Sequence, residues 1–313
     1  GLMKYPYLLL RIDELDNVVL INKLKEEIES YKREAMTNLS AWDRVLVARH
    51  QQRPTACDFI EFIFDEFIEL HGDRQYRDDQ SIVAGLALLN GVSVTVIAQQ
   101  KGKTLDENLV RNFAMPHPEG YRKALRLMRQ AEKFKRPIIT LIDTPGAYPG
   151  MGAEERGQGE AIARNLLEMS SFTVPIVAVV IGEGGSGGAL ALGVANKVLM
   201  LENAIYSILS PEGYATILWK DSTKASQAAE AMKLTSYDLE ELGIIDDIIS
   251  EPLGGAHFNK EETYENTKKA IVEALLDLSG LSPLELRETR IDKYRNFGFF
   301  QRFNYDNLGG VKR

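Results

Sequence analysis

The feature that most constrains this chain is an unbroken apolar run, 175–181, followed at once by Gly182-Glu183-Gly184-Gly185-Ser186-Gly187-Gly188-Ala189-Leu190. A short apolar run with no polar alternation reads as a strand covered on both faces, as in parallel sheets. The glycines predict a turn, and the small residues after them predict a helix over 186–194. Glycine admits positive φ and lets a ligand come close to backbone N–H groups. The first turn of a helix has N–H groups without intrahelical acceptors and the positive end of its dipole. Strand, glycine turn and small-residue helix in this order predict a place for an anion, or for an oxygen on which negative charge develops.

Other chemistries share the same residues. Gly182, Gly184 and Gly187 fit G-x-G-x-x-G, with Glu202 at the end of the next strand, as in a dinucleotide fingerprint. Against that, a hairpin precedes the segment, and two strands follow it (197–201 and 204–209) with no crossover helix between them. Gly184, Ser186 and Gly188 fit the G-x-S-x-G nucleophile elbow. A serine hydrolase would need a later histidine, and only His257 is available. The plain alternative is a glycine turn that serves helix–strand packing alone. Two phosphate motifs fail: Gly102-Lys103-Thr104 lacks the earlier glycine of a Walker A, Ile97 standing there, and Asp143-Thr144-Pro145-Gly146 has no P-loop to accompany it.

The rest of the chain fits an α/β layered fold. Helices are predicted over 16–39, 42–51, 56–70, 116–135, 153–170, 214–220, 224–232, 238–242 and 260–278. Strands are predicted over 81–89, 92–98, 138–142 and 244–249, besides those already given. Asn90-Gly91 between two β-branched runs marks a hairpin. The loop 143–152 leaves a strand beside the glycine turn. Its prolines and glycines make Gly146, Ala147 and Tyr148 a candidate ligand wall, or else an ordinary connector. Three segments are expected: a helical extension over 1–55, a central domain over 56–257, and a helical and aromatic tail over 258–313.

Composition excludes several classes. Acidic residues outnumber basic ones, 45 to 37, which argues against non-specific nucleic-acid binding. A locally basic stretch (Lys101, Lys103, Arg111, Arg122, Lys123, Arg126, Arg129) reads either as a phosphate or partner contact or as a solvated helix face. Cys57 is the single cysteine, so neither an intrachain disulfide nor a Cys-ligated zinc site can form, and a reducing cytoplasmic setting is expected. His50, His71, His117 and His257 have no metal-ligand spacing. No uncharged stretch is long enough to span a bilayer, and no signal-peptide pattern follows the start. The aromatics Tyr294, Phe297, Phe299, Phe300, Phe303 and Tyr305 are expected to pack on the core or on a partner.

An ordered set of strings from Trp42 to His257 resembles the carboxyltransferase alpha subunit of the bacterial multi-subunit acetyl-CoA carboxylase. These strings include Ala48-Arg49-His50, Gln52-Arg53-Pro54, Leu70-His71-Gly72-Asp73-Arg74, 118–128, 143–150, Ala153-Glu154-Glu155-Arg156-Gly157-Gln158, 182–190, Ser210-Pro211-Glu212-Gly213 and 251–257. The resemblance implies a crotonase-like spiral of ββα units and an α2β2 assembly whose beta subunit carries the zinc. It implies transfer of a carboxyl group from carboxybiotin, on the biotin carboxyl carrier protein, to acetyl-CoA, giving malonyl-CoA for fatty acid synthesis. ATP would enter only through the partner biotin carboxylase. The resemblance assigns the oxyanion hole for the biotin ureido oxygen to the backbone N–H groups of Gly187 and Gly188, with Gly184, Gly185, Gly146, Ala147 and Tyr148 around the bound group. Loss of the carboxyl group leaves a ureido anion able to take a methyl proton itself, so no side-chain base is expected. The alternative is a stand-alone crotonase-fold acyl-CoA hydratase or isomerase. It would need an acid–base carboxylate at the hole, Glu155 or Glu183. A scaffold that only positions a partner is a third reading.

Overall fold

The computed structural model of the protein describes residues 18–298. In chain order the elements are α1 (Val18–Thr37), α2 (Ala41–Ala48), α3 (Ala56–Ile63), β1 (Glu66–Glu69), β2 (Ile82–Leu89), β3 (Val92–Gln99), α4 (Leu105–Val110), α5 (Pro118–Phe134), β4 (Ile138–Thr144), α6 (Met151–Glu155) and α7 (Gln158–Ser171). They continue with β5 (Ile176–Gly185), α8 (Ser186–Leu190), β6 (Lys197–Leu201), β7 (Ile205–Ser207), α9 (Pro211–Trp219), α10 (Ala225–Met232), α11 (Ser236–Glu241), β8 (Asp247–Ile249), α12 (Lys260–Ser279) and α13 (Pro283–Arg295). Capping boxes start α2, α11 and α13, through Ser40 with Asp43, Thr235 with Asp238 and Ser282 with Glu285.

One sheet runs in the order β1-β2-β3-β4-β5-β6-β8, with β7 paired to β5 off that path. β1, β2 and β3 are antiparallel, and every later pairing is parallel. The hairpin forms where Asn90-Gly91 predicted it. Leu89 faces Val92, and both turn residues take positive φ, +50° and +78°. The central strands β4 and β5 are buried throughout, so their apolar runs have no polar face to present. Ala124, Leu127, Met128 and Ala131 of α5 join the same core.

Several elements differ from their sequence reading, and α4 forms where no helix was predicted. The helix expected over 56–70 ends at Ile63, and Phe64 turns extended. Glu66–Glu69 then pairs with β2 as an edge strand, and Gly85 makes room, because a Cβ there would lie 2.1 Å from the carbonyl oxygen of Ile68. The helix expected over 153–170 is two helices broken at Gly157, whose φ is +85°. β5 runs on through the glycines to Gly185, so four residues of the expected turn are strand, and α8 has only five residues. The last strand begins at Asp247 rather than at residue 244, after a left-handed Gly243. Of the tail aromatics, Tyr294 packs on the core. Its hydroxyl donates to the Gly193 carbonyl at 2.7 Å, and its ring meets Phe297 at 5.1 Å. Phe299, Phe300, Phe303 and Tyr305 lie outside the described residues.

Arg290 of α13 is fully buried without a carboxylate partner among the described residues. Its guanidinium donates to the carbonyls of Met169 and Phe172 at 2.7 Å, to that of Val174 at 2.8 Å, and to the Asn196 amide oxygen. These carbonyls belong to the end of α7 and the connection into β5, which α13 thereby holds in place. Burial pushes the Arg290 pKa down to about 10, still well above neutral pH. Arg290→Met leaves these carbonyls without donors in a dry site. A loss of at least about 3 kcal/mol in unfolding free energy is expected. Urea denaturation checks it, and a loss below about 1 kcal/mol would show that the carbonyls find other donors.

Candidate functional site

The site is built where β4 and β5 fall out of step. Ile142 pairs with Val180 and Thr144 with Gly184, so Asp143 alone stands opposite Ile181, Gly182 and Glu183. Such a bulge leaves ladder groups unpaired, and here side chains take them up. The Glu183 N–H donates to Asp143 Oδ1 at 2.9 Å, and the Ile181 carbonyl accepts from Arg53 Nε at 2.8 Å. Gly182 leaves space for the Asp143 carboxylate, which a Cβ would approach to 2.5 Å. Beyond the bulge β5 changes partner from β6 to β7, with Gly184 facing Tyr206 and Gly185 facing Ser207.

The strand then meets α8. Ser186 has φ +56°, a left-handed conformation that costs a non-glycine residue about 1 kcal/mol or more. α8 begins at this turn. The helix has no side-chain cap. Among the described residues the Gly187 and Gly188 N–H groups donate to no side chain and to no loop carbonyl. Gly187 is half-buried and opens on a largely apolar cavity of about 600 Å³, walled by Leu190, Tyr206, Ile208, Tyr214 and Met232. Gly188 is buried. A Cβ there would lie 2.6 Å from the Ala147 nitrogen and from the Gly146 carbonyl carbon, and 3.0 Å from the Tyr121 hydroxyl. That hydroxyl has no hydrogen-bond partner among the described residues.

The loop 145–148 is locked against this corner. Thr144 Oγ1 accepts from the Gly146 N–H at 3.1 Å and donates to the Gly146 carbonyl at 2.7 Å. Gly146 itself has φ +153°. The Tyr148 N–H donates to the Pro116 carbonyl at 3.1 Å, and its ring stacks on His117 at 4.1 Å. Gln99 ties the parts together by donating to the Gly188 carbonyl at 2.8 Å and accepting from the Asp143 N–H at 3.2 Å.

A chain of charges surrounds the bulge. Lys101 Nζ lies 2.6 Å from Asp143 and 3.2 Å from Glu183, and Arg49 bridges Glu183 and Glu212 at 2.7 Å each. Burial works to lower the Lys101 pKa, but Asp143 and Glu183 outweigh it and hold the ammonium above its ordinary range. Burial likewise works to raise Glu183, but Lys101 and Arg49 hold the carboxylate below its ordinary range. Behind them Arg53 forms a two-pronged pair with the buried Glu251, at 3.0 and 2.5 Å. Glu251 also accepts from the N–H groups of Asn203 and Ala256.

Of the residues expected at the site, Gly187, Gly188, Gly146 and Ala147 converge on one corner, whereas the Tyr148 ring packs on His117. Gly184 and Gly185 lie just behind it, buried against Tyr206 and against the Pro145 carbonyl. Glu183 is ion-paired, and Glu155 is exposed at the end of α6. Of the basic stretch, Lys101, Lys103, Arg122, Lys123 and Arg129 each pair with a carboxylate. His50 and His257, far apart in sequence, stack at 3.8 Å. The Arg49–Glu183 and Gln99–Gly188 contacts were invisible in the sequence, because the partners are 134 and 89 residues apart.

Comparison with known proteins gives the same answer at several levels. A family model described as acetyl co-enzyme A carboxylase carboxyltransferase-like matches residues 10–298. Proteins of two Staphylococcus aureus strains, bovine RF122 / ET3-1 and MRSA252, are each 59% identical over 280 residues, covering 90% of this chain and 89% of theirs. Both are named acetyl-coenzyme A carboxylase carboxyl transferase subunit alpha. Among solved structures, the transcarboxylase 12S core superposes with a TM-score of 0.59 at 23% identity, over 71% of this chain and 41% of that one. A subunit of a Pseudomonas malonate decarboxylase hetero-tetramer superposes with a TM-score of 0.56 at 18% identity, over 68% of this chain and 85% of that one. At these identities the structures speak for the fold, which is the crotonase-like one expected from the sequence. The chain belongs to the acetyl co-enzyme A carboxylase carboxyltransferase-like family.

Proposed function

We propose that this chain is the alpha subunit of an acetyl-CoA carboxylase carboxyltransferase and supplies the biotin-facing half of its site. The observation that carries the reading is the pair of N–H groups at Gly187 and Gly188, without acceptors among the described residues, the first of them beside the cavity. With carboxybiotin bound, these two groups would hold the ureido oxygen, on which loss of the carboxyl group leaves negative charge. Donors fixed in place before the reaction need no reorganisation when charge appears, and removing one costs about 100- to 1,000-fold in rate in comparable sites.

The residues present suit a biotin ring. The cavity wall is apolar and aromatic, Gly187 lies at its edge, and the next residue, Gly188, leaves no side chain to fill the corner behind it. Carboxybiotin supplies the transferable carboxyl group and, once that has gone, the base that takes the methyl proton of acetyl-CoA. The chain's own tasks are to hold the ureido oxygen, to orient the ring along the 146–148 wall and to exclude water. Gly184 and Gly185 position the donors from behind.

The remaining parts of the reading are a beta subunit that holds the acetyl-CoA enolate and the zinc, a biotin carboxyl carrier protein, and a biotin carboxylase where ATP is used. On this reading residues 56–257 form the catalytic domain, flanked by 1–55 and 258–313, and the enzyme works in the cytoplasm. No helix among the described residues is long and apolar enough to cross a membrane.

The purified chain alone should form no malonyl-CoA from carboxybiotin and acetyl-CoA, and adding a zinc-bearing beta subunit should restore transfer. Robust turnover by the chain alone would end the reading in favour of a stand-alone enzyme.

Gly188→Ala forces the 146–147 backbone away and should lower transfer about 100-fold, since a misplacement of about 1 Å is worth that much. Gly187→Ala, whose Cβ meets nothing closer than 3.8 Å, should fold normally and retain far more activity. Equal losses in steady-state assays of the two assembled variants would separate the rate from the corner.

A hydratase reading requires Glu183 to exchange a proton. Its carboxylate is held below the ordinary 4.5, so it stays ionised at every higher pH. The pH–rate profile of transfer should therefore show no limb removed by Glu183→Gln above pH 5 or so. Loss of such a limb in the variant would restore Glu183 as an acid.

A further inference from the structure

A second cavity, of about 650 Å³, opens beside α5 and shares no lining residue with the cavity at Gly187. Six arginines line it: Arg74 from the loop between β1 and β2, Arg122, Arg126 and Arg129 from α5, Arg156 at the end of α6, and Arg164 from α7. The spacing of 122, 126 and 129 puts their side chains on one helix face.

Four of the six are neutralised. Arg122 pairs with Asp73 at 2.9 Å, Arg129 with Glu168 at 2.6 Å, Arg156 with Glu119 at 2.9 Å and Arg164 with Glu160 at 3.0 Å. Arg74 and Arg126 have no carboxylate partner among the described residues. Instead both donate to the same acceptor, the carbonyl of His71, at 2.8 and 3.1 Å, and Arg126 donates also to the Gly72 carbonyl at 3.0 Å. Two guanidinium groups thus meet on one neutral oxygen. Burial and then the charge of Arg74 lower the Arg126 pKa, as expected for like charges held together. Nε and Nη2 of Arg74 and Nη1 of Arg126 donate to nothing among the described residues.

We propose that this cavity binds a diphosphate-bearing anion, with Arg74 and Arg126 as its primary ligands. A planar fork with free N–H groups matches phosphate oxygens in pairs, and two adjacent forks match two linked phosphates better than one carboxylate. The concave shape and nucleotide-scale volume favour a small molecule over a protein segment. The anion relieves the repulsion between the two cations and pins the loop 71–74 to α5. Free pyrophosphate and a nucleotide share this chemistry. The site does not depend on the carboxyl-transfer reading.

Isothermal titration of the full chain at low salt, with inorganic pyrophosphate and with ADP as probes, tests it. Saturable one-site binding is expected, weakening steeply with added salt. ADP binding more tightly than pyrophosphate assigns a nucleotide, and equal affinities assign the free diphosphate. Arg74→Gln, which leaves both loop bonds of Arg126 intact, should weaken binding about tenfold with an unchanged thermal melt, and adding Arg126→Gln should abolish it. No saturable binding at millimolar probe, or equal affinity in Arg74→Gln, overturns the proposal. So does binding to the free chain that vanishes in the assembled enzyme, which would make this face a subunit interface. Capture of a polyglutamate peptide that pyrophosphate does not displace would overturn it as well, in favour of an acidic protein partner.

Discussion

The architecture of the site rests on how closely two stretches of backbone pass each other. A Cβ on Gly185 would stand 2.2 Å from the Pro145 carbonyl oxygen, and one on Gly188 would stand 2.6 Å from the Ala147 nitrogen. Real side chains never tolerate such distances, so the end of β5 and the start of α8 lie against the loop leaving β4 only because both residues are glycine. That contact sets the position of the two N–H groups relative to the 146–148 wall. The left-handed Ser186 follows from it, since the chain must turn sharply to leave the strand without colliding with the loop. The strain at Ser186 is held by the surrounding sheet and helices, as expected where backbone geometry is part of a mechanism.

The bulge just before this corner explains why charge is buried here. Falling out of register frees ladder groups at Ile181 and Glu183, and each is taken up by a charged side chain. Unpaired, such charges would be costly in a low-dielectric interior. The chain Arg49–Glu183–Lys101–Asp143 and the pair Arg53–Glu251 keep every member matched, and the directions of the Lys101 and Glu183 shifts say that attraction outweighs desolvation. A buried pair is weak evidence for net stability, since a well-packed apolar substitute often does as well. Its value here is geometric: each link joins a different segment (the α2 exit, the β3 exit, β4, β5) to one bulge.

The sequence made the fold class legible through patterns that act over a few residues. Apolar runs gave the buried strands, Asn90-Gly91 gave the hairpin, and glycine density pointed to the corner at Gly187. The errors share a cause. The 56–70 segment has helical periodicity throughout, yet its second half is drawn into the sheet by pairing with β2, a partner some 20 residues on that no local signal names. The glycines at 182–185 look like a turn because strands disfavour glycine. They are strand because Asp143, Tyr206 and Pro145 fill the space their side chains would need. The charge network was illegible for the same reason. Arg49 and Glu183 are ordinary surface-type residues until the fold sets them 2.7 Å apart.

A site made of main-chain donors carries a distinctive demand. A catalytic side chain can adjust a rotamer when its support shifts, but an N–H moves only if the backbone moves. The surrounding polar groups are arranged accordingly: Gln99 holds the Gly188 carbonyl, Thr144 closes the turn at Gly146, and Gln158 donates to the carbonyls of Pro116 and Tyr148. None of these takes part in proton transfer, and none needs a perturbed pKa to act. The Tyr121 hydroxyl is the exception, buried beside Gly188 without a hydrogen-bond partner among the described residues, with its pKa driven far up by burial. It stays protonated throughout the physiological range, so it is a neutral hydroxyl that can donate one hydrogen bond and also accept. A neutral hydroxyl stored behind the corner has an O–H to turn toward negative charge and, because burial keeps it from ionising, sets no phenolate against the charge that the two N–H groups face.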